Sequence, residues 1–193
     1  TARSELLTRY KSSIQKGQLE LRRQYLANHD PSQLLYERSR LVDEVLRELW
    51  TELRFPDSLA LCAVGGYGRG ELWPASDVDL LILLPSEPDA ARAEQLEQLV
   101  GLFWDIGLEI GHSVRTVEDC LKEAEGDLTV QTALVEARLI VGNYALFSRM
   151  VAEFKNHLNP QAFYHTKRVE QEERHRKYQE TPYSLEPNCK DSP

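Results

Sequence analysis

The chain has 193 residues, of which 41% are hydrophobic and 28% are charged, and its formal net charge is −8. This length is enough for one well-buried domain with a helical extension, and the composition is typical of a soluble globular protein. The acidic balance argues against a protein that binds duplex nucleic acid, because such proteins usually present a basic face.

The cysteines and the hydropathy pattern indicate an intracellular protein. Cys62, Cys120 and Cys189 form no CxxC pair, and their odd number gives no disulfide framework, so reduced thiols are the simplest interpretation. The sequence contains neither the apolar segment of a signal peptide nor a run of eighteen apolar residues. We therefore expect a cytoplasmic protein that binds no membrane.

The N-terminal part of the chain is predicted to form two helices. Residues 1–28 carry apolar side chains at roughly helical spacing, although Gly17 argues against an unbroken helix. Asp30 and Pro31 then supply an N-cap and a favourable first residue for a second helix, which has a clear apolar stripe. We expect this helical extension, residues 1–56, to pack against a sheet as a scaffold.

The stretch Leu61–Leu84 combines two apolar strands with a glycine-rich loop. Leu61–Val64 and Val78–Leu84 are short apolar runs bounded by glycine and proline, which is typical of strands buried on both faces. Asp77 and Asp79 lie near the start of the second run. Because they are two residues apart, their side chains leave the same face of a strand.

This arrangement points to nucleotide chemistry. Two neighbouring carboxylates in an apolar setting repel each other, and they stay ionised only beside a cation or a strong set of donors. Mg²⁺, a hard ion with oxygen ligands, suits such a pair. A flexible glycine loop beside it can bring backbone N–H groups up to phosphate oxygens.

Two common nucleotide-binding motifs do not fit the glycine loop. A Rossmann fingerprint that starts at Gly66 needs glycine at its sixth position, where the sequence has Glu71. A P-loop needs Gly-Lys followed by Ser or Thr, and the sequence has no such triplet. The glycine loop, followed by aspartates on the next strand, therefore belongs to a different arrangement.

Beyond residue 84 the sequence predicts one more strand and several helices. The strand is Leu108–Val114, and the helices are Asp89–Ile106, one from Thr116 to about Ala124 with a capping box to Asp119, Leu128–Ile140, one from Asn143, and Gln161–Gln179. We expect an α+β fold with a small mixed β-sheet, an N-terminal helical pair and a C-terminal helical region. The predicted segments after the extension are a core at 57–125, helices packed on it at 126–180, and a tail at 181–193.

The glycines and aspartates also carry a family resemblance. Val64-Gly65-Gly66 followed by Asp77-Val78-Asp79 resembles the hydrophobic-Gly-Gly … Asp-x-Asp signature of the DNA polymerase β-like nucleotidyltransferase superfamily. The longer string GGYGRGEL…SDVDLLIL is similar to that of the bacterial bifunctional uridylyltransferase/uridylyl-removing enzymes. Residues 107–120, 131–142 and 183–193 fit the same family.

The resemblance implies a metal-dependent uridylyl transfer on the predicted core. Asp77 and Asp79 would bind Mg²⁺ ions that hold the triphosphate of UTP, and the backbone at Gly65 and Gly66 would contact the phosphates. A tyrosine hydroxyl of the PII nitrogen-signalling protein would attack the α-phosphorus, and pyrophosphate would leave. No residue type or spacing in the sequence identifies a group that reads uracil, so UTP is implied by the resemblance alone.

The superfamily usually adds a third carboxylate on a later strand, as a metal ligand or general base. Glu109 is the only acidic residue of the predicted strand Leu108–Val114, and His112 on the same strand is an alternative. Glu136 and Glu186 lie in family-like stretches and are further candidates.

Two further residues are candidates for contact with the nucleotide. Ser76 directly precedes the Asp-x-Asp motif, and Arg69 lies in the glycine loop, where it is either a phosphate ligand or an exposed cation.

The family also implies segments that this sequence does not contain. Its members carry an HD domain that removes uridylyl groups and paired ACT domains that sense glutamine, so we expect a truncated nucleotidyltransferase domain on which glutamine acts only through absent domains. Two alternatives remain: a catalytically idle nucleotide-binding regulatory module, or a superfamily nucleotidyltransferase with another acceptor.

Overall fold

The computed structural model describes residues 2–177, which form a small β-sheet with helices on both faces. The strands are β1 (Ala60–Ala63), β2 (Val78–Leu84), β3 (Ile110–Thr116) and β4 (Arg138–Gly142). The helices are α1 (Ala2–Asn28), α2 (Pro31–Glu52), α3 (Gly65–Gly68), α4 (Ala90–Asp105), α5 (Val117–Gly126), α6 (Leu128–Val135), α7 (Tyr144–His157) and α8 (Pro160–Lys177).

The four strands pair in the order β3-β2-β1-β4. Strand β1 is antiparallel to both β2 and β4, whereas β2 and β3 run parallel. Connecting parallel strands requires a crossover, and here helix α4 supplies it. The α+β fold with a small mixed sheet is therefore confirmed.

The alternation of side chains along β2 divides the core into two layers. Leu80 and Ile82 pack with residues of α1, α2 and α4, whereas Leu81 and Leu83 pack with residues of α5, α6 and α7. Both faces of the strand are covered, which explains why it is a continuous apolar run rather than an alternating one.

The two N-terminal helices pack as predicted, with one difference. Asp30 caps α2 by accepting a hydrogen bond from the Gln33 backbone N–H at 3.1 Å, and Pro31 is the first helical residue. Helix α1 continues through Gly17 without a break. A Cβ atom at Gly17 would lie 2.5 Å from a methyl carbon of Leu41, so the glycine lets α1 and α2 approach closely.

The prediction of a helix at Leu128–Ile140 is wrong in its second half. Helix α6 ends at Val135, and Arg138–Gly142 forms strand β4, which pairs with β1. A run with Ile and Val suits a strand, and pairing with β1 satisfies backbone groups that would otherwise form an open sheet edge.

Smaller differences concern the other predicted boundaries. Strand β3 begins two residues later than predicted, and the glycine loop contains the one-turn helix α3. The division into segments at 56, 125 and 180 stays a prediction. The predicted tail and the end of the last predicted helix, residues 178–193, lie outside the described residues.

Cys62 and Cys120 are buried free thiols in the layer that contains α5 and α7. Burial raises the pKa of each thiol to about 12, so both are protonated and act as small apolar side chains. Within residues 2–177, no helix combines the length and the apolar character needed to cross a bilayer.

The turn from β3 into α5 depends on a capping box, as the sequence predicts. The Asp119 backbone N–H donates to Thr116 Oγ1 at 3.1 Å, and the Thr116 backbone N–H donates to Asp119 Oδ2 at 3.0 Å. These two bonds satisfy N–H groups that the first helical turn leaves without intrahelical partners.

We predict that Thr116→Ala lowers the free energy of unfolding by about 1 kcal/mol, because it removes the N-cap oxygen. Urea denaturation measures the change. Thr166→Ala is the matched control, since Thr166 is exposed in α8 and its hydroxyl donates to the carbonyl of Ala162 in its own helix. We expect the control to change stability by less than about 0.5 kcal/mol. Equal effects of the two substitutions would contradict the role of the capping box.

Candidate active site

The pairing of β1 and β2 brings the glycine turn next to the second aspartate. Ala63 pairs with Leu80, and the Val64 backbone N–H donates to the Asp79 carbonyl at 3.1 Å. Gly65 follows with φ of +59°, a left-handed conformation that favours glycine. A Cβ atom at Gly65 would lie 3.5 Å from Asp79 Oδ2, so the turn and the carboxylate are direct neighbours.

The aspartates lie at the end of β2 that the α5–α7 layer leaves open. Asp77 and Asp79 are exposed, whereas Val78 between them is 2% exposed and belongs to the layer of α2 and α4. The alternation therefore places both carboxylates on the side opposite Val78. This side is the one from which the glycine turn begins.

The parallel neighbour β3 contributes a glycine opposite Asp79. Asp79 pairs with Gly111, and a Cβ atom there would lie 2.5 Å from Asp79 Oδ1. Any larger residue would have to displace the carboxylate, because real Cβ atoms do not approach an oxygen so closely. Gly111 therefore leaves room for the Asp79 carboxylate itself.

Glu109 lies just before β3, at the level of the first aspartate. Its carbonyl accepts a hydrogen bond from the Val78 backbone N–H at 2.7 Å. Leu108 and Ile110 are buried in the layer of α2 and α4, whereas Glu109 is exposed. The alternation thus puts Glu109 on the same side of the sheet as Gly111 and the aspartates.

A cavity of about 340 Å³ opens beside Asp79. One wall is strand β3 and the other is helix α6. The polar and glycine residues that line it are Gly65, Asp79, Gly111, His112, Ser113, Arg115 and Thr129, and its apolar residues include Val130, Ala133 and Leu134. The cavity therefore offers both polar and apolar contacts to a molecule held at the carboxylate.

The arginines of the site are already paired with carboxylates. Arg69 donates to Glu71 Oε2 at 3.0 Å and also forms an ion pair with Glu136. The hydrogen bond to Glu71 helps to raise the pKa of Arg69 above its usual value. Arg115 forms an ion pair with Glu123.

The remaining candidates occupy different places around the site. Ser76 is half-buried in a turn in which its N–H donates to the Trp73 carbonyl at 3.0 Å, directly before the aspartates. His112 is exposed and lines the cavity. Glu136 lies against Arg69, at the glycine turn. Glu186 lies outside the described residues.

The donor set fits a hard divalent cation bound partly by its substrate. In the described part of the chain, no three His, Cys, Asp or Glu side chains lie close enough to hold a metal ion by themselves. Two aspartates on one side of the sheet, with room over Gly111 for the carboxylate of the second, do suit Mg²⁺, because this ion usually takes one or two carboxylates and completes its shell with water and phosphate oxygens.

Sequence reasoning missed a buried polar cluster that lies against the glycine turn. Asp43 of α2 accepts hydrogen bonds from Tyr67 of α3 at 2.6 Å and from Arg138 of β4 at 2.7 Å. The sequence predicts only packing or loop ordering for Tyr67. The sequence does contain one signal of this cluster, because Asp43 directly follows Val42 in the apolar stripe of α2. A charged residue is rarely buried unless it is paired.

The chain is similar to proteins of known class. Residues 46–140 match the family model described as "Nucleotidyltransferase domain". The bifunctional uridylyltransferase/uridylyl-removing enzyme of Cupriavidus metallidurans is 49% identical over 188 residues, which cover 97% of this chain and 22% of that protein. The enzyme of the same name from Nitrosospira multiformis is 50% identical over 189 residues, covering 95% and 21%.

The chain spans about a fifth of the length of these relatives. Among solved structures, a mutant of the toxin-antitoxin MntA-HpeT gives a TM-score of 0.39 at 12% identity, covering 67% of this chain and 92% of that one, a likeness too low to carry an argument. Residues 46–140 therefore belong to the nucleotidyltransferase domain family, and the relatives that are about half identical to this chain are named bifunctional uridylyltransferase/uridylyl-removing enzymes.

Proposed function

We propose that the chain transfers UMP from UTP to a tyrosine hydroxyl of a PII-type signalling protein, with Mg²⁺ as cofactor and pyrophosphate as the second product. The observation that carries the proposal is the position of Asp79, which lies beside the glycine turn at the edge of a cavity. The names of the relatives support the uridylyl group as the one transferred.

The proposed roles follow from the placement of the side chains. Asp77 and Asp79 would hold Mg²⁺, which when bound supplies positive charge to the triphosphate and orients the α-phosphorus. The first N–H groups of α3, at Gly65 and Gly66, have no partners within their own helix and would bind phosphate oxygens. These contacts act by positioning and by electrostatic stabilisation of the reacting phosphate.

Glu109 is our candidate for the third carboxylate. It lies on the side of the sheet that carries the aspartates. In the proposed reaction it takes the proton of the attacking tyrosine hydroxyl, the tyrosine oxygen bonds to the α-phosphorus, and the bond from that phosphorus to pyrophosphate breaks. A group that removes this proton contributes a rate factor of about 10² to 10⁴ in comparable reactions.

The proposal also includes the cellular compartment of the reaction and its regulation. Cys62 and Cys120 are free thiols, which fits a reducing compartment such as the cytoplasm. Regulation by glutamine, if the chain works within a protein as long as its relatives, would come from segments outside these residues.

We predict that Asp77→Asn and Asp79→Asn each lower uridylyl transfer at least about 100-fold, because an amide cannot replace the charge of a metal-binding carboxylate. The assay incubates the chain with labelled UTP, Mg²⁺ and a PII-type protein and measures label on the acceptor. Asp89→Asn is the matched control: Asp89 is the N-cap of α4, away from the site, and asparagine caps equally well.

Transfer that survives both substitutions would contradict the assignment of the aspartates. A chain that binds Mg²⁺–UTP but labels no acceptor would support the alternative of an idle nucleotide-binding module. Labelling of a different acceptor would retain the site and refute the PII-type substrate.

We predict that Glu109→Gln lowers the turnover number about 100-fold while leaving the dissociation constant of Mg²⁺–UTP nearly unchanged, because a proton acceptor acts in the chemical step. Steady-state kinetics and equilibrium binding measure the two quantities. A large loss of Mg²⁺–UTP binding would instead assign Glu109 to the metal. If neither quantity changes, Glu109 has no role in the transfer.

We predict that Gly111→Ala also lowers transfer about 100-fold, because its new methyl group would displace the Asp79 carboxylate. Gly101→Ala in α4 is the matched control, since a Cβ atom there meets no atom within 4 Å. Circular dichroism checks that both variants fold. Full activity of a folded Gly111→Ala chain would contradict the close approach of Gly111 to the metal-binding carboxylate.

A further inference from the structure

The one-turn helix α3 cannot depend on its own backbone for its shape. It consists of Gly65, Gly66, Tyr67 and Gly68, and glycine is among the poorest helix formers. A single turn is also too short to be stable in water, because the first turn fixes several dihedral angles for one hydrogen bond. Backbone hydrogen bonds such as the one from the Glu71 N–H to the Gly66 carbonyl at 3.0 Å therefore need support from contacts with other elements.

The buried carboxylate of Asp43 supplies the first of these contacts. Asp43 is 5% exposed, and its Oδ1 accepts from the Tyr67 hydroxyl at 2.6 Å and from Arg138 Nη2 at 3.1 Å. Its Oδ2 accepts from Arg138 Nη1 at 2.7 Å and from Arg47 at 3.2 Å. Both oxygens of the carboxylate are thus saturated by donors from α2, α3 and β4.

Arg138 connects the same carboxylate to the backbone of the turn. Besides its two bonds to Asp43, its Nε donates to the Gly68 carbonyl at 3.2 Å and its Nη2 to the Tyr67 carbonyl at 3.3 Å. The Tyr67 carbonyl also accepts from the Gly70 backbone N–H at 3.0 Å, so the guanidinium group adds to the backbone hydrogen bonds that close the turn. A lysine could not make this planar set of bonds.

Tyr67 is a permanent donor in this cluster. The residue is 2% exposed. Burial, together with the charge of Asp43, raises the pKa of Tyr67 well above its usual value, so the hydroxyl keeps its proton at any physiological pH. The Tyr67 hydroxyl can therefore donate to Asp43 throughout that pH range.

We propose that Asp43, Tyr67 and Arg138 are positioning residues that hold the Gly65–Gly66 backbone against Asp79 and so set the affinity for the nucleotide triphosphate. The inference rests on the proposed function and adds three residues that touch no substrate. The physical basis is the fraction of molecules whose turn has the conformation that binds the triphosphate. If the turn samples other conformations, this fraction falls, and the apparent affinity falls in proportion.

The test compares two buried tyrosines that each donate to a carboxylate of α2. Tyr67→Phe removes the bond to Asp43, whose other donors remain. Tyr10→Phe is the matched control: Tyr10 is 3% exposed and donates to Glu52 Oε2 at 2.9 Å, but it belongs to α1. We expect Tyr67→Phe to raise the dissociation constant of Mg²⁺–UTP about tenfold and Tyr10→Phe to leave it within about twofold.

Amide hydrogen exchange gives a second readout that needs no nucleotide. We expect the amides of residues 65–69 to exchange about tenfold faster in Tyr67→Phe than in Tyr10→Phe. Arg138→Lys keeps the positive charge but loses the planar guanidinium group. We expect it to accelerate hydrogen exchange of the same amides and to raise the dissociation constant of Mg²⁺–UTP, as Tyr67→Phe does.

The outcomes separate this inference from the proposed function. Equal exchange at residues 65–69 in the two tyrosine variants, or an equal change in their UTP affinity, would overturn the positioning role. A wild-type chain that binds no Mg²⁺–UTP would overturn the proposed function, and with it the effect on affinity. Selective acceleration of the same amides in Tyr67→Phe would then still support a cluster that holds the turn.

Discussion

The antiparallel pairing of β1 with β2 is the constraint on which the candidate site depends. With Ala63 opposite Leu80, the glycine turn starts beside Asp79. From Leu80 to Leu84 both faces of β2 are apolar and buried, so the hydrophobic pattern alone does not distinguish two registers. A slip by one residue would turn Asp79 towards the layer of α2 and α4, and burying a charged carboxylate among those apolar side chains would be costly.

Charge compensation explains why the proposed binding of a triphosphate to this acidic chain would require a cation. Arg69, which directly follows the glycine turn, and Arg115, which lines the cavity, already face carboxylates, so their positive charge is largely compensated within the protein. The two aspartates add further negative charge at the place where phosphates would lie. A divalent cation between them and the phosphates resolves this repulsion, which is the physical content of the proposed Mg²⁺ site.

Sequence reasoning recovered what is encoded locally. The two central strands and the capping box at Thr116 each depend on residues close in the chain: β2 and the capping box lie where the sequence predicts them, and β1 begins one residue earlier. The end of α6 was missed because β4 is stabilised by pairing with β1, a partner more than 70 positions away. The Asp43 and Arg138 contact, 95 positions apart, is likewise decided by the tertiary fold.

The same distinction separates the parts of the site. Asp77 and Asp79 are recognisable in the sequence because the proposed metal site uses two carboxylates on one face of a strand, and their spacing alone places them there. The position of Glu109 relative to the aspartates depends on the register of β3 against β2, which places Ile110 beside Val78. The cavity beside Asp79 also requires α6 to lie over the sheet, and a sequence pattern carries little information about such packing.

A polar cluster against the glycine turn is a better support than an apolar one would be. Apolar packing is non-directional, so it would hold Tyr67 in place without fixing the angle of the backbone around it. Hydrogen bonds are directional, and the fork of Arg138 engages a carboxylate and two turn carbonyls at once. Burying Asp43 costs solvation free energy that its four hydrogen bonds offset, and the structure gains a turn of defined orientation from residues that have little intrinsic preference for one.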